Sequence, residues 1–245
     1  MKRSIQILSL ILLFLCFTLI QCKIAEVIIN EDLEQSTSPM LVTGNNDLSF
    51  KDKVIEFGDF STSKVHESLN EEKRKSGFMK ISFESSEEIF SFTQFCQNEK
   101  CLQVECVSVY LNKEMPMFGE FLSYDLKSKN YFAGTLYCKN TFILRDFVVY
   151  FSDEVFKPKA KGFVNFSPQQ KIIIKPAFIS KSKIFQIDPE GYEFLLNDKT
   201  IAAVETINNG RVWMRPDLDE EMKLVLAGVS TALLLNRNNN KSSGE

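Results

Sequence analysis

The residues of this chain best suited to chemistry are its six cysteines, and their positions divide them into two groups. Cys16 and Cys22 lie in or beside an apolar N-terminal run, whereas Cys96, Cys101, Cys106 and Cys138 lie well inside the sequence. Four interior cysteines are an even number, which in an oxidising compartment reads as two disulfides. Cys96 and Cys101 flank the short Gln97-Asn98-Glu99-Lys100 turn, and Cys106 and Cys138 fall in strand-like runs, so the favoured pairing is 96 with 101 and 106 with 138. The rival is a metal site, because Cys-x4-Cys-x4-Cys and a distant fourth thiolate could surround a tetrahedral ion. The spacing is wider than usual for such sites, no His lies nearby, and an oxidising compartment disfavours free thiolates.

Other reactive side chains are sparse. His66 is the single histidine, set among serines in Ser61-Thr62-Ser63-Lys64-Val65-His66-Glu67-Ser68. A Ser/His pair there would be nucleophilic chemistry, but without Gly-x-Ser-x-Gly a solvated loop residue is the simpler reading. Asp217, Asp219, Glu220 and Glu221 could chelate a cation, although acids gather at a helix start to cap it and to meet its dipole. Lys157, Lys159, Lys161, Lys171, Lys175, Lys181 and Lys183 fall in a stretch with no acid. On one face they would attract anionic headgroups or an anionic envelope polymer; on alternate strand positions they are solvated lysines. Met115-Pro116-Met117-Phe118, within the loop from Leu111 to Gly119, is either an apolar protein contact or part of the core. No phosphate loop, dinucleotide fingerprint or zinc-helix motif is present, so no cofactor is expected.

The first residues specify a destination. Lys2-Arg3 followed by the apolar run from Ile5 to Ile20 has the anatomy of a secretory signal, too abruptly ended to be a stable anchor. Leu19-Ile20-Gln21-Cys22 resembles a bacterial lipobox, with Gln21 where that motif usually has a small residue. The resemblance implies diacylation of Cys22 and a membrane-anchored lipoprotein; cleavage without acylation would give a secreted protein. Lys23 in place of an inner-membrane retention aspartate favours the outer membrane. Removing residues 1–21 takes Lys2 and Arg3 away, so 29 basic side chains become 27 against 32 acidic ones, about −5. An acidic chain with 22 Phe excludes general nucleic-acid binding, which needs a basic face. Polar stretches such as Gln35-Ser36-Thr37-Ser38-Pro39 and Gly44-Asn45-Asn46-Asp47 read residues 22–50 as a flexible tether.

The elements that must position these residues are mostly strands. With 44% apolar residues the chain can bury a core, and from Val54 short β-branched and aromatic runs alternate with turn residues. About twelve short strands are expected: 54–60, 78–83, 89–95, 102–111, 131–138, 142–151, 162–166, 171–175, 184–187, 192–196, 200–207 and 211–214. Asn197-Asp198 and Asn208-Asn209-Gly210 supply hairpin turns. Over 217–236 a helix is expected, with Asp217 as N-cap and Glu220 completing a capping box. From Met222 to Leu235 it is apolar on every face, yet at about 21 Å its apolar stretch is too short for a bilayer. Such a helix must be enclosed, so an antiparallel β-barrel or strongly curled sheet around a C-terminal helix follows, forming a single domain over 51–236 with a disordered tail at 237–245.

Gly191-Tyr192-Glu193-Phe194-Leu195, Ile201-Ala202-Ala203-Val204, Arg211-Val212-Trp213-Met214 and that helix resemble the tubby C-terminal-like superfamily, which includes the LURP-one-related proteins. The resemblance implies a twelve-stranded barrel around its helix and carries no catalytic residue with it. The function expected is a lipid-anchored, non-enzymatic envelope module for binding or structure. The competing class is an exported enzyme acting on lipid or glycan, or a ligand carrier.

Overall fold

The computed structural model describes residues 25–45, 53–67, 87–97, 99–110, 130–139, 141–151, 161–179 and 189–242. Its strands are β1 (Met40–Leu41), β2 (Glu56–Phe57), β3 (Phe60–Thr62), β4 (His66–Glu67), β5 (Glu87–Cys96), β6 (Glu99–Tyr110), β7 (Asn130–Cys138), β8 (Ile143–Phe151), β9 (Lys161–Ser167), β10 (Gln170–Ala177), β11 (Gly191–Leu196), β12 (Lys199–Glu205) and β13 (Arg211–Met214). The helices are α1 (Glu31–Ser36) and α2 (Glu220–Ser242). From β5 to β13 each strand pairs antiparallel with the next, and β1 returns to pair with β13. Beyond β5 lie β3 and β2; β4 continues along β5 where β3 leaves off. Thr43 and Glu56 exchange both backbone hydrogen bonds, at 2.9 and 3.2 Å, so the two ends of the sheet meet in a nearly closed barrel.

Alternation explains which residues face inward. Leu102, Val104 and Cys106 of β6, Phe147 and Val149 of β8, Ile172 and Ile174 of β10, and Val212 and Met214 of β13 all join the inner core. Asn197 and Asp198 both have positive φ, 50° and 62°, the requirement of a two-residue hairpin turn matching strand twist. The expected strand 54–60 is instead two strands, because Gly58, at φ 52°, turns the chain between β2 and β3. The expected strands at 78–83 and 184–187, and the Met/Phe loop at 111–119, lie outside the described residues.

The inner core is completed by α2. Leu224, Leu226, Val229, Leu233 and Leu234 are all buried although they lie on several faces of the helix. Gly228 admits β6 and β7 closely: a Cβ there would meet Leu102 and Leu136 methyls at 2.6 and 2.9 Å. Two polar pairs fix the helix register within the apolar interior, Thr231 Oγ1 to Gln94 Oε1 at 3.2 Å and Ser108 Oγ to Asn236 Oδ1 at 2.6 Å. The cap differs from expectation: Asp219, not Asp217, accepts from the Met222 N–H at 2.7 Å. Helical backbone also runs past 236 to Ser242, beyond the expected end. Among the described residues no helix is long and apolar enough to cross a membrane.

The expected tether is corrected by the packing of residues 25–45. Residues 25–29 and α1 cover the outer face of the sheet, where Val27, Ile29 and Leu33 bury against Ala177, Ala203, Ile207 and Trp213. The Ile28 N–H donates to Phe178 O at 3.0 Å, Val27 N–H to Glu205 Oε2 at 3.1 Å, and Asn30 caps α1 through Asp32 N and Leu33 N. Arg215 pairs with Asp32. Three apolar residues, Val27, Ile29 and Leu33, were enough to seat this segment despite its polar composition.

Candidate functional site

A barrel has two rims, and the direction of α2 distinguishes them. β13 ends at Met214 and α2 starts six residues later, so the entry rim carries the helix start with the turns at Gly58-Asp59, Gln97, Thr141-Phe142, Pro168-Gln169 and Asn197-Asp198. The exit rim carries the β12–β13 turn at Asn208-Asn209, whose Asn208 Nδ2 donates to Ala25 O at 3.1 Å. Among the described residues, a cavity of about 800 Å³ opens at the entry rim. Cys96, Cys101, Cys138, Glu220, Glu221 and Arg215 are among its lining residues.

The ladder explains why three thiols converge there. The β5–β6 register slips between Gln94 and Phe95, so that Gln94 faces Leu102, Phe95 faces Lys100, and Cys101 is left as the extra residue beside Cys96. Burial, a hydrogen bond with the Cys101 side chain, and repulsion from Cys101, Cys138 and Glu220 push the Cys96 thiol well above its ordinary range. A thiol held protonated is a poor nucleophile and a poor metal ligand. Cys106 is deep in the wall, and burial raises it too, with Glu105 adding to the effect. All four thiols are free in this structure. The expected 106–138 bridge is overturned by register: Cys106 faces Gly134 and Cys138 faces Leu102, four positions apart, or about 13 Å along the strands, beyond disulfide reach. Among the described residues no group of three metal-ligating side chains is placed to hold an ion.

The remaining sequence candidates are dispersed. His66 is exposed on β4 opposite Ser91, while the Ser63 hydroxyl donates to Lys64 O and accepts from Thr93 N. Asp219 caps α2, Glu220 pairs with Lys223 at 2.9 Å, and Glu221 pairs with Arg145 at 2.5 Å, so the acids serve three separate partners. Lys161 and Lys175 lie toward the exit rim, whereas Lys171 stands opposite Asn165 near the entry rim with its ammonium 4.2 Å from the Phe163 ring centre. Cys22, Lys157, Lys159, Lys181 and Lys183 lie outside the described residues.

Sequence reasoning missed Arg145. The β8–β9 ladder stops at Asp146 opposite Asn165, and beyond that pair the two strand ends part to leave a second cavity of about 540 Å³. Arg145, on the inward face of β8, lines this cavity and is 5% exposed, with Nε donating to Phe166 O at 2.9 Å and its guanidinium 4.8 Å from the Phe166 ring centre. Nη2 meets Glu221 at 2.5 Å, so this ion pair sits between the two cavities, while Nη1 is buried without a partner. Burial raises the pKa of Asp146 at the outer lip, against the lowering effects of Asn165 and Lys171. The signal was available: Arg145 shares its strand parity with inward Phe147 and Val149. The chain matches no family model, no curated protein and no solved structure.

Proposed function

We propose that the chain is a lipid-anchored, non-enzymatic envelope protein that works as a binding or structural module. The observation that carries this reading is the filled interior: α2, buried from Val225 through Asn236, takes the space in which a carrier barrel would hold its ligand, so recognition falls to the rims and outer face. The Leu19-Ile20-Gln21-Cys22 sequence supplies the anchor. Acylated Cys22 would lie three residues before Ala25, a span of at most about 11 Å. With Ala25 held at the β12–β13 turn, the anchor draws the exit rim to the bilayer and turns the entry rim, with both cavities, away from it.

The test is intact-mass analysis of the protein taken from its native membrane. Added acyl mass on Cys22, and its loss with release of Cys22→Ala from the membrane fraction, is the expected result. A membrane-free protein without acyl chains would overturn the anchor and leave the secreted alternative. The two entry-rim cavities favour a ligand-binding role within that alternative.

A further inference from the structure

We propose that the cleft between the entry-rim ends of β8 and β9 binds a small apolar monocarboxylate, of the medium-chain fatty-acid class, with Arg145 holding the carboxylate and Ile143 and Leu144 the hydrocarbon. Three independent features converge on this chemistry. First, the cleft is built into the ladder: β8 and β9 stop pairing at Asp146 and Asn165, and a volume of about 540 Å³ lies in the range of small-molecule sites. Second, Arg145 is a buried cation with incomplete bonding. Its Nε and Nη2 are used by Phe166 O and Glu221, while Nη1 has no acceptor, and a buried donor without a partner is costly. Third, one side of an otherwise largely polar cleft is apolar and uncovered: Ile143 is 43% exposed and Leu144 53%, beside Phe142 at 78% on the hairpin tip.

Charge selects the kind of anion. Glu221 already neutralises part of the guanidinium, and Asp146 stands at the lip with both carboxylate oxygens bonded to Asn165, at 3.1 and 3.2 Å. A dianion such as a phosphate monoester would meet two carboxylates for one buried cation, whereas a single carboxylate needs only the free Nη1 edge. Lys171, on the neighbouring strand, adds long-range attraction at the rim. The inference does not depend on the anchor, since every residue in it belongs to the barrel wall or to α2.

The experiment is a titration of decanoate carrying a 13C carboxyl into the purified full chain, followed by NMR. Saturable binding is expected, with acetate and methyl decanoate failing to displace the label. Affinity should rise about tenfold for two added methylenes between octanoate and decanoate. Arg145→Gln and Leu144→Asp should each weaken binding at least about tenfold, and Glu221→Gln should tighten it by removing the competing carboxylate. Leu144 is exposed, so its variant tests the site even if Arg145→Gln fails to fold. Displacement by methyl decanoate as effective as by decanoate, or unchanged affinity in a Leu144→Asp protein that melts like the parent, would overturn the proposal.

Discussion

At the scale of single residues, burial decides which side chains hold protons. Asp146 has its pKa raised above the ordinary 3.8, chiefly by burial. The native state therefore binds that proton more tightly than the unfolded state does. This contribution to stability is fully present below the ordinary carboxylate value and lost as pH rises through the raised one. Asp146→Asn removes the titration, so its stability relative to the parent should increase with pH across that window and then level off, measured by urea unfolding at a series of pH values. A difference that stays constant with pH would contradict the assignment. Cys106 gives a second check. Buried between Phe90 and Gly134 in the ladder and far from Cys138 in register, it should resist alkylation in the folded protein and appear as a free thiol after unfolding in non-reducing peptide maps. Recovery of a Cys106–Cys138 peptide would mean that the β6–β7 register is wrong.

Element by element, the two periodicities in the sequence account for most of what was legible. Strands with β-branched and aromatic alternation, such as β6, β8 and β13, announce themselves because every second residue faces the core. The helix does so by being apolar all round. The sequence favours Asp217 over Asp219 as its cap because Glu220 follows Asp217 in capping-box spacing, and only the backbone path after Met214 decides between them. The two-residue β1 and the six-residue α1 carry too little pattern to be seen; β1 forms because the edge of β13 is open to pairing, and α1 because Leu33 buries against the outer face of the sheet. The site was less legible than the fold. The parity of Arg145 was visible, but its partners Phe166 and Glu221 are brought to it by tertiary structure alone. For α2, Leu226→Ala should cost about 2 to 5 kcal/mol, whereas Asp219→Ala should cost about 1 kcal/mol, both read from chemical denaturation. Leu226→Asp should abolish folding, because a carboxylate there has no partner in an interior where Leu226 is fully buried.

For the whole molecule, a sheet whose edges meet through the Thr43–Glu56 bridge among the described residues depends on what fills it. The strands from β5 to β13 all send residues into the inner core, which they share with α2 from Met222 to Leu235. In the proposed function, the same arrangement leaves recognition to the rims and outer face. Enclosure of the helix is thus the claim on which both the fold and the proposed function rest. Hydrogen exchange of the folded full chain, followed by mass spectrometry, tests it most directly. If α2 is enclosed, amides from Leu224 to Leu235 exchange only when the whole barrel unfolds, with the same protection and the same denaturant dependence as β6 and β7. Exchange of the helix through local opening, orders of magnitude faster than those strands, would mean that α2 is peripheral and that the barrel stands without it.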